Sequence, residues 1–314
     1  MVQSMLPLRA NGKVLISGEY LVLQGAVALA VPLKLGQQLS MMEGNLPGKV
    51  EWIATDTTGT WFQGIFTLED WTIIESSDKA VALRLQKMLA AVRSISPGFL
   101  RNRNAVKIGT TLEFNRNWGF GSSSSLIALL ARLADIDALA LHRLVSEGSG
   151  YDVACAVSGS ALLFNLANGQ AVIRPVDFQP PFLHQLFLVY LGYKQNSETE
   201  VVDFKGRNHN FTSQNLIISE ISMKMATAND PAEFIQLMLQ HELIMESLLE
   251  RPSVMKLLFP DFQGAVKSLG AWGGDFVLAA SMHGEAYVRN YFSNKSMGVV
   301  FPLNELAIEP VANS

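Results

Sequence analysis

A glycine- and serine-rich segment offers the clearest chemistry in the sequence. Residues 117–130 read NWGFGSSSSLIALL, so small residues lead directly into an apolar run typical of a helix. Glycines let the backbone approach a ligand closely, and the N–H groups at a helix start attract phosphate. The serine hydroxyls add hydrogen-bond donors and one candidate Mg²⁺ ligand. A serine-rich helix cap with no ligand is the alternative interpretation.

Two familiar phosphate-binding motifs do not fit this segment. A Walker A loop requires Gly-Lys-Ser/Thr at its end, and no lysine follows here. A dinucleotide fingerprint requires a third glycine where Ser124 stands. The segment therefore indicates phosphate chemistry without either of these two signatures.

Three further segments accompany it in a fixed order. They read NGKVLISGEYLVLQG at 11–25, GSGYDVACAVSG at 148–159 and KSLGAWGGDFVLA at 267–279. Together with GFGSSSS they resemble the GHMP kinase superfamily over essentially the whole chain. All three signature motifs of that superfamily have counterparts among these segments. The detail is closest to the mevalonate and phosphomevalonate kinase branch, and the Gly-Tyr-Asp run is similar to a group of bacterial GHMP-type proteins.

The resemblance implies a catalytic pair. Asp152, directly after a glycine turn, would accept the proton of the substrate hydroxyl. Lys13 would lie beside it, holding Asp152 ionised and stabilising charge in the transition state. A solvated turn aspartate and an exposed lysine at a strand start are the alternatives.

The resemblance also implies the binding residues. Those implied to bind ATP and its phosphates are Gly119, Phe120, Gly121, Ser122, Ser123, Ser124, Gly270, Gly273 and Gly274, with Ser123 also a Mg²⁺ ligand. Those implied on the substrate side are Glu19, Tyr20 and Lys194, for which ordinary strand-end or loop positions are the alternatives. Mevalonate kinases carry His at the position of Tyr20, so Tyr20 favours phosphomevalonate-like or other substrates.

The sequence departs from the branch at two places. Trp272 stands where the GAGGGD form of the third motif has a glycine. Residues 138–142 read ALALH, so they supply no carboxylate at the spacing where these kinases often have a second metal ligand.

The implied protein is an ATP- and Mg²⁺-dependent kinase of a small acceptor, with mevalonate or phosphomevalonate the leading candidates. A diphosphomevalonate decarboxylase-like enzyme and a catalytically silent nucleotide-binding paralogue are the alternatives, and a homodimer is left open. The implied fold is α+β with two lobes. The N-terminal lobe would be like ribosomal protein S5 domain 2, and the C-terminal lobe would be ferredoxin-like.

The elements that must position these residues follow from patterning. Strands are predicted at 14–17, 20–23, 50–54, 60–66, 106–114, 186–191 and 275–280, and helices at 78–94, 126–134, 215–228, 231–249, 261–269 and 286–292. Because strands and helices do not alternate regularly, α+β is favoured over a doubly wound sheet. The proline-rich stretch 174–181 predicts a boundary between domains 1–174 and 175–314.

Composition excludes several classes of protein. With 24 Lys+Arg against 28 Asp+Glu the net charge is −4, which argues against a basic nucleic-acid binder. Hydrophobic residues make up 49%, which argues against general disorder. The longest uncharged stretches are too short or too polar for a membrane span. The single cysteine, Cys155, and the lack of a signal-peptide pattern at the start favour the cytoplasm.

Overall fold

Strands and helices alternate irregularly along the chain, as predicted for an α+β protein. The computed structural model describes residues 7–193, 200, 204, 211–270, 272 and 274–309. The strands are β1 Leu8–Ser17, β2 Ala28–Glu43, β3 Lys49–Asp56, β4 Gly59–Thr67, β5 Ile73–Ser76, β6 Val106–Leu112, β7 Ala161–Ala167, β8 Gln170–Val176, β9 Leu186–Tyr190, β10 Ala265–Ser268, β11 Phe276–Ala280 and β12 Val300–Pro302. The helices are α1 Lys79–Ile95, α2 Ser122–Ala134, α3 Ala138–Val145, α4 Tyr151–Val157, α5 Thr212–Thr227, α6 Pro231–Leu249, α7 Val254–Leu258, α8 Gly284–Asn294 and α9 Leu303–Leu306, with short 3₁₀ turns at Leu21–Gln24 and Leu183–Gln185.

The first of two compact units contains Leu35–Arg116, Phe120–Val157 and the chain up to Gly12. Its strands pair in the order β5-β4-β3-β6-β2, with β3 and β6 parallel and the other pairs antiparallel. Buried and half-buried residues alternate along β3, so Val50 and Trp52 point into a core that also contains Leu89 of α1. Helices α2, α3 and α4 pack on one another in this unit.

The second unit contains Lys13–Lys34, Asn117–Gly119 and the chain from Ser158 onwards. Residues 28–30 of β2 pair with β7, which pairs with β8. A second, fully antiparallel sheet has the order β10-β11-β9-β12. Its continuous apolar strands are buried, and α6 and α7 pack against β10.

Most predicted elements are confirmed, and two are wrong. The helix predicted at 261–269 is strand β10, because Gly264 interrupts the helical spacing with a φ of +147° and the chain then pairs with β11. A side chain at Gly264 would meet the carbonyl oxygen of Ala280 at 2.0 Å. The strand predicted at 20–23 is a 3₁₀ turn, flanked by positive φ angles at Gly18, Tyr20 and Gly25.

The two units are each discontinuous in sequence. The predicted boundary between domains 1–174 and 175–314 stays a prediction. No helix within the described residues combines the length and the apolar character needed to cross a membrane.

The first turn of α1 provides a test of the local sequence signals. The Asp78 side chain accepts hydrogen bonds from the N–H groups of Ala80 (2.9 Å) and Val81 (3.1 Å). Asp78→Ala should lower the free energy of unfolding by about 1 kcal/mol in urea titrations, because these donors lose their acceptor. The neighbouring exposed Lys79→Ala should cost nothing, and equal stability of the two variants would contradict the cap assignment.

Candidate functional site

The glycine-serine segment forms the start of α2, four residues earlier than predicted. Gly121 is the N-cap residue, with the left-handed angles φ 91° and ψ 40°. The amides of Ser122, Ser123 and Ser124 occupy the first turn, where an α-helix provides no backbone acceptor. Their N–H groups and the positive end of the helix dipole make this turn suited to an anion.

The serines of this turn divide into two kinds. Ser124 is buried and donates its hydroxyl to the carbonyl of Gly121 at 2.9 Å, while Ser125 is buried and donates to Oε1 of Gln37 at 2.7 Å. Ser123 is exposed and Ser122 half-buried. The side chains of Ser122 and Ser123 are therefore the accessible ones, whereas Ser124 can offer a ligand only its backbone.

Phe120 and Gly119 fix the entry to the turn. Phe120 is 1% exposed and packs edge-on against Phe114, at 5.7 Å between ring centroids, so its side chain is an anchor. Gly119 belongs to the second unit, where an added Cβ would lie 2.2 Å from Oδ2 of Asp275. A side chain at this position would therefore force the Asp275 carboxylate to move.

Asp152 lies in the first turn of α4, half-buried, and its Oδ1 accepts the N–H of Val153 at 3.0 Å. Helix α4 packs against α2. The first unit therefore brings the first turn of α2 (the phosphate-type turn, residues 121–124) and the helix of Asp152 into one helical layer. The ring of buried His142 holds the preceding glycine turn through a 3.2 Å hydrogen bond between Nε2 and the carbonyl of Gly148. Lys13 lies half-buried on β1 in the second unit, and its pairing with Asp152 stays a prediction.

Consecutive residues at the end of β1 and in the turn after it bind α5, α6 and β10 of the second unit. The Ser17 hydroxyl donates to that of Ser222 at 2.8 Å, and the Gly18 N–H donates to Nε2 of His241 at 3.2 Å. Glu19 forms an ion pair with Lys267 of β10. All of these side chains are buried, so this turn is held rigidly.

Glu19, Lys267, His241 and Glu242 form a buried cluster of ionisable groups. Oε2 of Glu19 lies 3.0 Å from Nε2 of His241, and Oε1 of Glu242 lies 3.9 Å from its Nδ1. Nε2 cannot both accept the Gly18 amide proton and donate to Glu19, so the two contacts compete. Lys267 also donates to the carbonyl of Ser268 at 2.8 Å.

The members of the cluster respond differently to burial. Burial opposes ionisation of Glu19, but the Lys267 ammonium and His241 outweigh it and lower the pKa of this carboxyl. Burial and the Lys267 charge lower the pKa of His241. Burial raises the pKa of Glu242 to about 8. At neutral pH the cluster therefore contains one ion pair, a neutral histidine and a protonated Glu242.

The described residues of the third glycine segment (270–274), namely Gly270, Trp272 and Gly274, lie between β10 and β11. Gly270 has a φ of +68°, and Gly274 is buried. Trp272 is 8% exposed, and its indole Nε1 donates to the carbonyl of Pro252 at 3.4 Å. The bulky residue therefore packs inward against the protein. Two residues with predicted roles, Gly273 and Lys194, lie outside the described residues.

Of three comparisons with known proteins, the one with solved structures finds matches, and these cover nearly the whole chain. No protein-family model matches, and no curated protein matches in sequence. Among solved structures, the L. major mevalonate kinase in complex with R-mevalonate is 17% identical with a TM-score of 0.67, covering 98% of this chain and 97% of that one. The Streptococcus pneumoniae phosphomevalonate kinase in complex with phosphomevalonate and AMPPNP is 17% identical with a TM-score of 0.69, covering 95% and 99%. The Lactococcus lactis galactokinase complexed with galactose is 12% identical with a TM-score of 0.65, covering 98% and 94%.

The chain has the fold of the GHMP kinases. The sequence predicts functional roles for the first turn of α2, the Asp152 segment and the third glycine segment, and these roles stay predictions. It gave no role to Lys267, His241, Glu242 or His142. Two signals in the sequence indicate the buried cluster. One is Lys267 inside the apolar run AVKSL, and the other is the adjacent ionisable pair His241 and Glu242 on the apolar face of α6.

Glu242 gives a pH-dependent test of this cluster. Since its pKa is raised to about 8 in the folded state, the folded protein holds a proton that the unfolded chain releases above about pH 4.5. The stability of the wild type relative to Glu242→Gln should therefore fall as the pH rises from 5 to 8, by up to about 1.4 kcal/mol per pH unit. Urea titrations at pH 5, 6.5 and 8 measure this difference, and a pH-independent difference would show that Glu242 is not buried as a neutral acid.

Proposed function

We propose that the protein is an ATP-dependent small-molecule kinase of the GHMP type. It would transfer the γ-phosphate to a small acceptor, with mevalonate or phosphomevalonate the leading class. The observation that carries the proposal is the first turn of α2, where left-handed Gly121 precedes three serine amides with no helical acceptor. Structural matches over 95–98% of the chain to kinases of mevalonate, phosphomevalonate and galactose support it.

The phosphate-binding part of the proposal uses backbone rather than a lysine. The amides of Ser122, Ser123 and Ser124 would donate to the phosphates of ATP, and the accessible hydroxyls of Ser122 and Ser123 would add to them. A 2.7 Å hydrogen bond from the Ser125 hydroxyl to Gln37 holds the first turn of α2 in place. Gly119, Gly270, Gly273 and Gly274 are proposed to complete the nucleotide site.

The chemical step would depend on Asp152 and Lys13. Asp152 would take the proton of the acceptor hydroxyl, and Lys13 would stabilise the negative charge that develops during transfer. The half-buried carboxylate of Asp152 is held by the Val153 amide at the start of α4, and α4 packs on the phosphate-type helix. This packing supports the assignment of both helices to one reaction.

The residues fit a magnesium ion bound mainly through the nucleotide. Mg²⁺ usually keeps several waters and takes one or two protein ligands together with substrate phosphates. Ser123 is exposed at the α2 turn, and its hydroxyl has no hydrogen-bond partner within the described part of the chain. It would hold the ion, which supplies neutralisation of phosphate charge when bound.

The finer assignments belong to the same proposal. The first unit would correspond to the ribosomal protein S5 domain 2-like lobe, and the antiparallel sheet β10-β11-β9-β12 with its helices would correspond to the ferredoxin-like lobe.

The single cysteine leaves no intrachain disulfide, which supports a cytoplasmic location. Glu19, Tyr20 and Lys194 were predicted on the substrate side, but Glu19 is only 3% exposed.

Gly121 provides a test of nucleotide binding alone. Gly121→Val places a branched side chain at a φ of 91°, which such residues rarely adopt, and it would displace the phosphate-binding amides. AMPPNP affinity measured by calorimetry should fall about tenfold or more. Gly98→Val, at a glycine of ordinary φ whose Cβ would meet nothing within 4 Å, is the control and should bind normally. Unchanged affinity in a folded Gly121→Val protein would remove the phosphate assignment.

Asp152 provides the test of turnover. ATP consumption should first be screened with mevalonate, its phosphates, homoserine and sugars. On the acceptor that the wild type phosphorylates, Asp152→Asn should lower turnover by about 10²–10⁴, the usual worth of a general base, while AMPPNP affinity stays near normal. Asp135→Asn changes the same charge at an exposed helix end of the same unit and should remain active.

The Lys13→Met variant and the alternatives complete this test. Lys13→Met should lower both turnover and nucleotide affinity, and its effect should be less than additive with Asp152→Asn if the two act as a unit. Full activity of Asp152→Asn would contradict the mechanism. Release of CO₂ would identify a decarboxylase, and nucleotide binding without turnover on any acceptor would identify a silent paralogue.

A further inference from the structure

Tyr20 has a strained backbone that its surroundings hold in place. Its φ is +59° and its ψ is −51°, a conformation that a bulky residue rarely adopts. Such strain persists only where neighbouring interactions determine the conformation. Gly18, bonded to His241, and Glu19, paired with Lys267, directly precede Tyr20. These contacts therefore fix the position of the Tyr20 ring.

The hydroxyl of Tyr20 contacts the third glycine segment. It accepts a hydrogen bond from the backbone N–H of Trp272 at 2.7 Å and donates to Oε2 of Glu200 at 3.3 Å. The ring lies 5.1 Å from that of Phe204, and the residue is 7% exposed. Both the donor and the acceptor capacity of the hydroxyl are therefore used inside the protein.

Glu19 binds a residue that precedes the same segment in sequence. Its partner Lys267 lies on β10, three residues before Gly270, and the ion pair is buried. Two successive residues of the turn after β1 thus bind a point before the third glycine segment and a point within it.

We propose that Tyr20, supported by Glu19, is a positioning residue that sets the conformation of Trp272 in the third glycine segment for nucleotide binding, and is not a substrate contact. The nucleotide part rests on the proposed function. Trp272 strengthens the arrangement, because its buried indole and its bonded amide fix the one residue of the segment that is bulky. A glycine at this position would leave that amide on a far more mobile backbone.

Tyr20→Phe tests the inference, because it retains the ring and removes only the hydroxyl. Tyr287→Phe is the matched control: the Tyr287 hydroxyl also accepts a backbone N–H, that of Gln263 at 2.8 Å, but in a different part of the second unit. Hydrogen exchange at the Trp272 amide, measured by mass spectrometry, should become about tenfold faster in Tyr20→Phe and stay unchanged in Tyr287→Phe. AMPPNP affinity should fall about three- to tenfold in Tyr20→Phe only, with equal losses of thermal stability in the two variants.

The outcomes separate this inference from the proposed function. Unchanged exchange at Trp272, or unchanged AMPPNP affinity in Tyr20→Phe beside a wild type that binds, would overturn the inference alone. A raised KM for the acceptor with normal AMPPNP affinity would restore Tyr20 as a substrate contact and overturn it as well. A wild type that binds no AMPPNP would overturn the proposed function and the nucleotide part of the inference together.

Discussion

The buried ion pair between Glu19 and Lys267 is the constraint on which the second unit depends. Lys267 has no exposed surface and Glu19 only 3%, so either charge alone would be left buried without compensation, a loss of about 3–5 kcal/mol. The pair therefore fixes the turn after β1 against strand β10. The bonds made by Ser17, Gly18 and Tyr20 follow from that placement, since all three flank Glu19 in sequence.

Burial has the largest effect on the protonation of the neighbours of this pair. Burial and the adjacent lysine charge both lower the pKa of His241, so this histidine is neutral despite lying 3.0 Å from a carboxylate. Burial raises the pKa of Glu242, on the next residue of α6, to about 8, so this carboxyl stays protonated near neutral pH although the Lys267 charge opposes the shift. The turn is thus built around a single pair of opposite charges rather than a network of several.

Sequence patterns predicted the fold where periodicity and caps agree. Helix α6 begins at Pro231 and ends at Leu249 as expected, because Asp230 and the proline define its first turn. Prediction failed at β10, where apolar residues have helical spacing but Gly264 and pairing with β11 decide the structure. Local spacing carries no information on such long-range pairing.

The site was predictable in the same uneven way. The motif order predicts functional roles for the glycine turns and Asp152, because those features are continuous in sequence, and these roles stay predictions. The roles of Lys267 and Trp272 relative to Glu19 and Tyr20 could not be predicted, since each contact joins residues about 250 positions apart. The inward packing of Trp272 likewise depends on the carbonyl of Pro252. No sequence pattern predicts that these two residues lie close together.

The pairing of early and late segments has a consequence for biosynthesis. Leu33 forms a β-bridge with Ala307, and the carbonyl of Pro32 accepts the N–H of Ile308 at 3.1 Å. At a translation rate of about 5–20 residues per second, the apolar residues of 13–34 wait roughly 15–55 s on the ribosome before these partners are made. During that interval Leu21 and Leu29, fully buried in the finished protein, have no complete core to enter. This apolar segment of the nascent chain therefore stays without its complete core until the residues around 307 have been made.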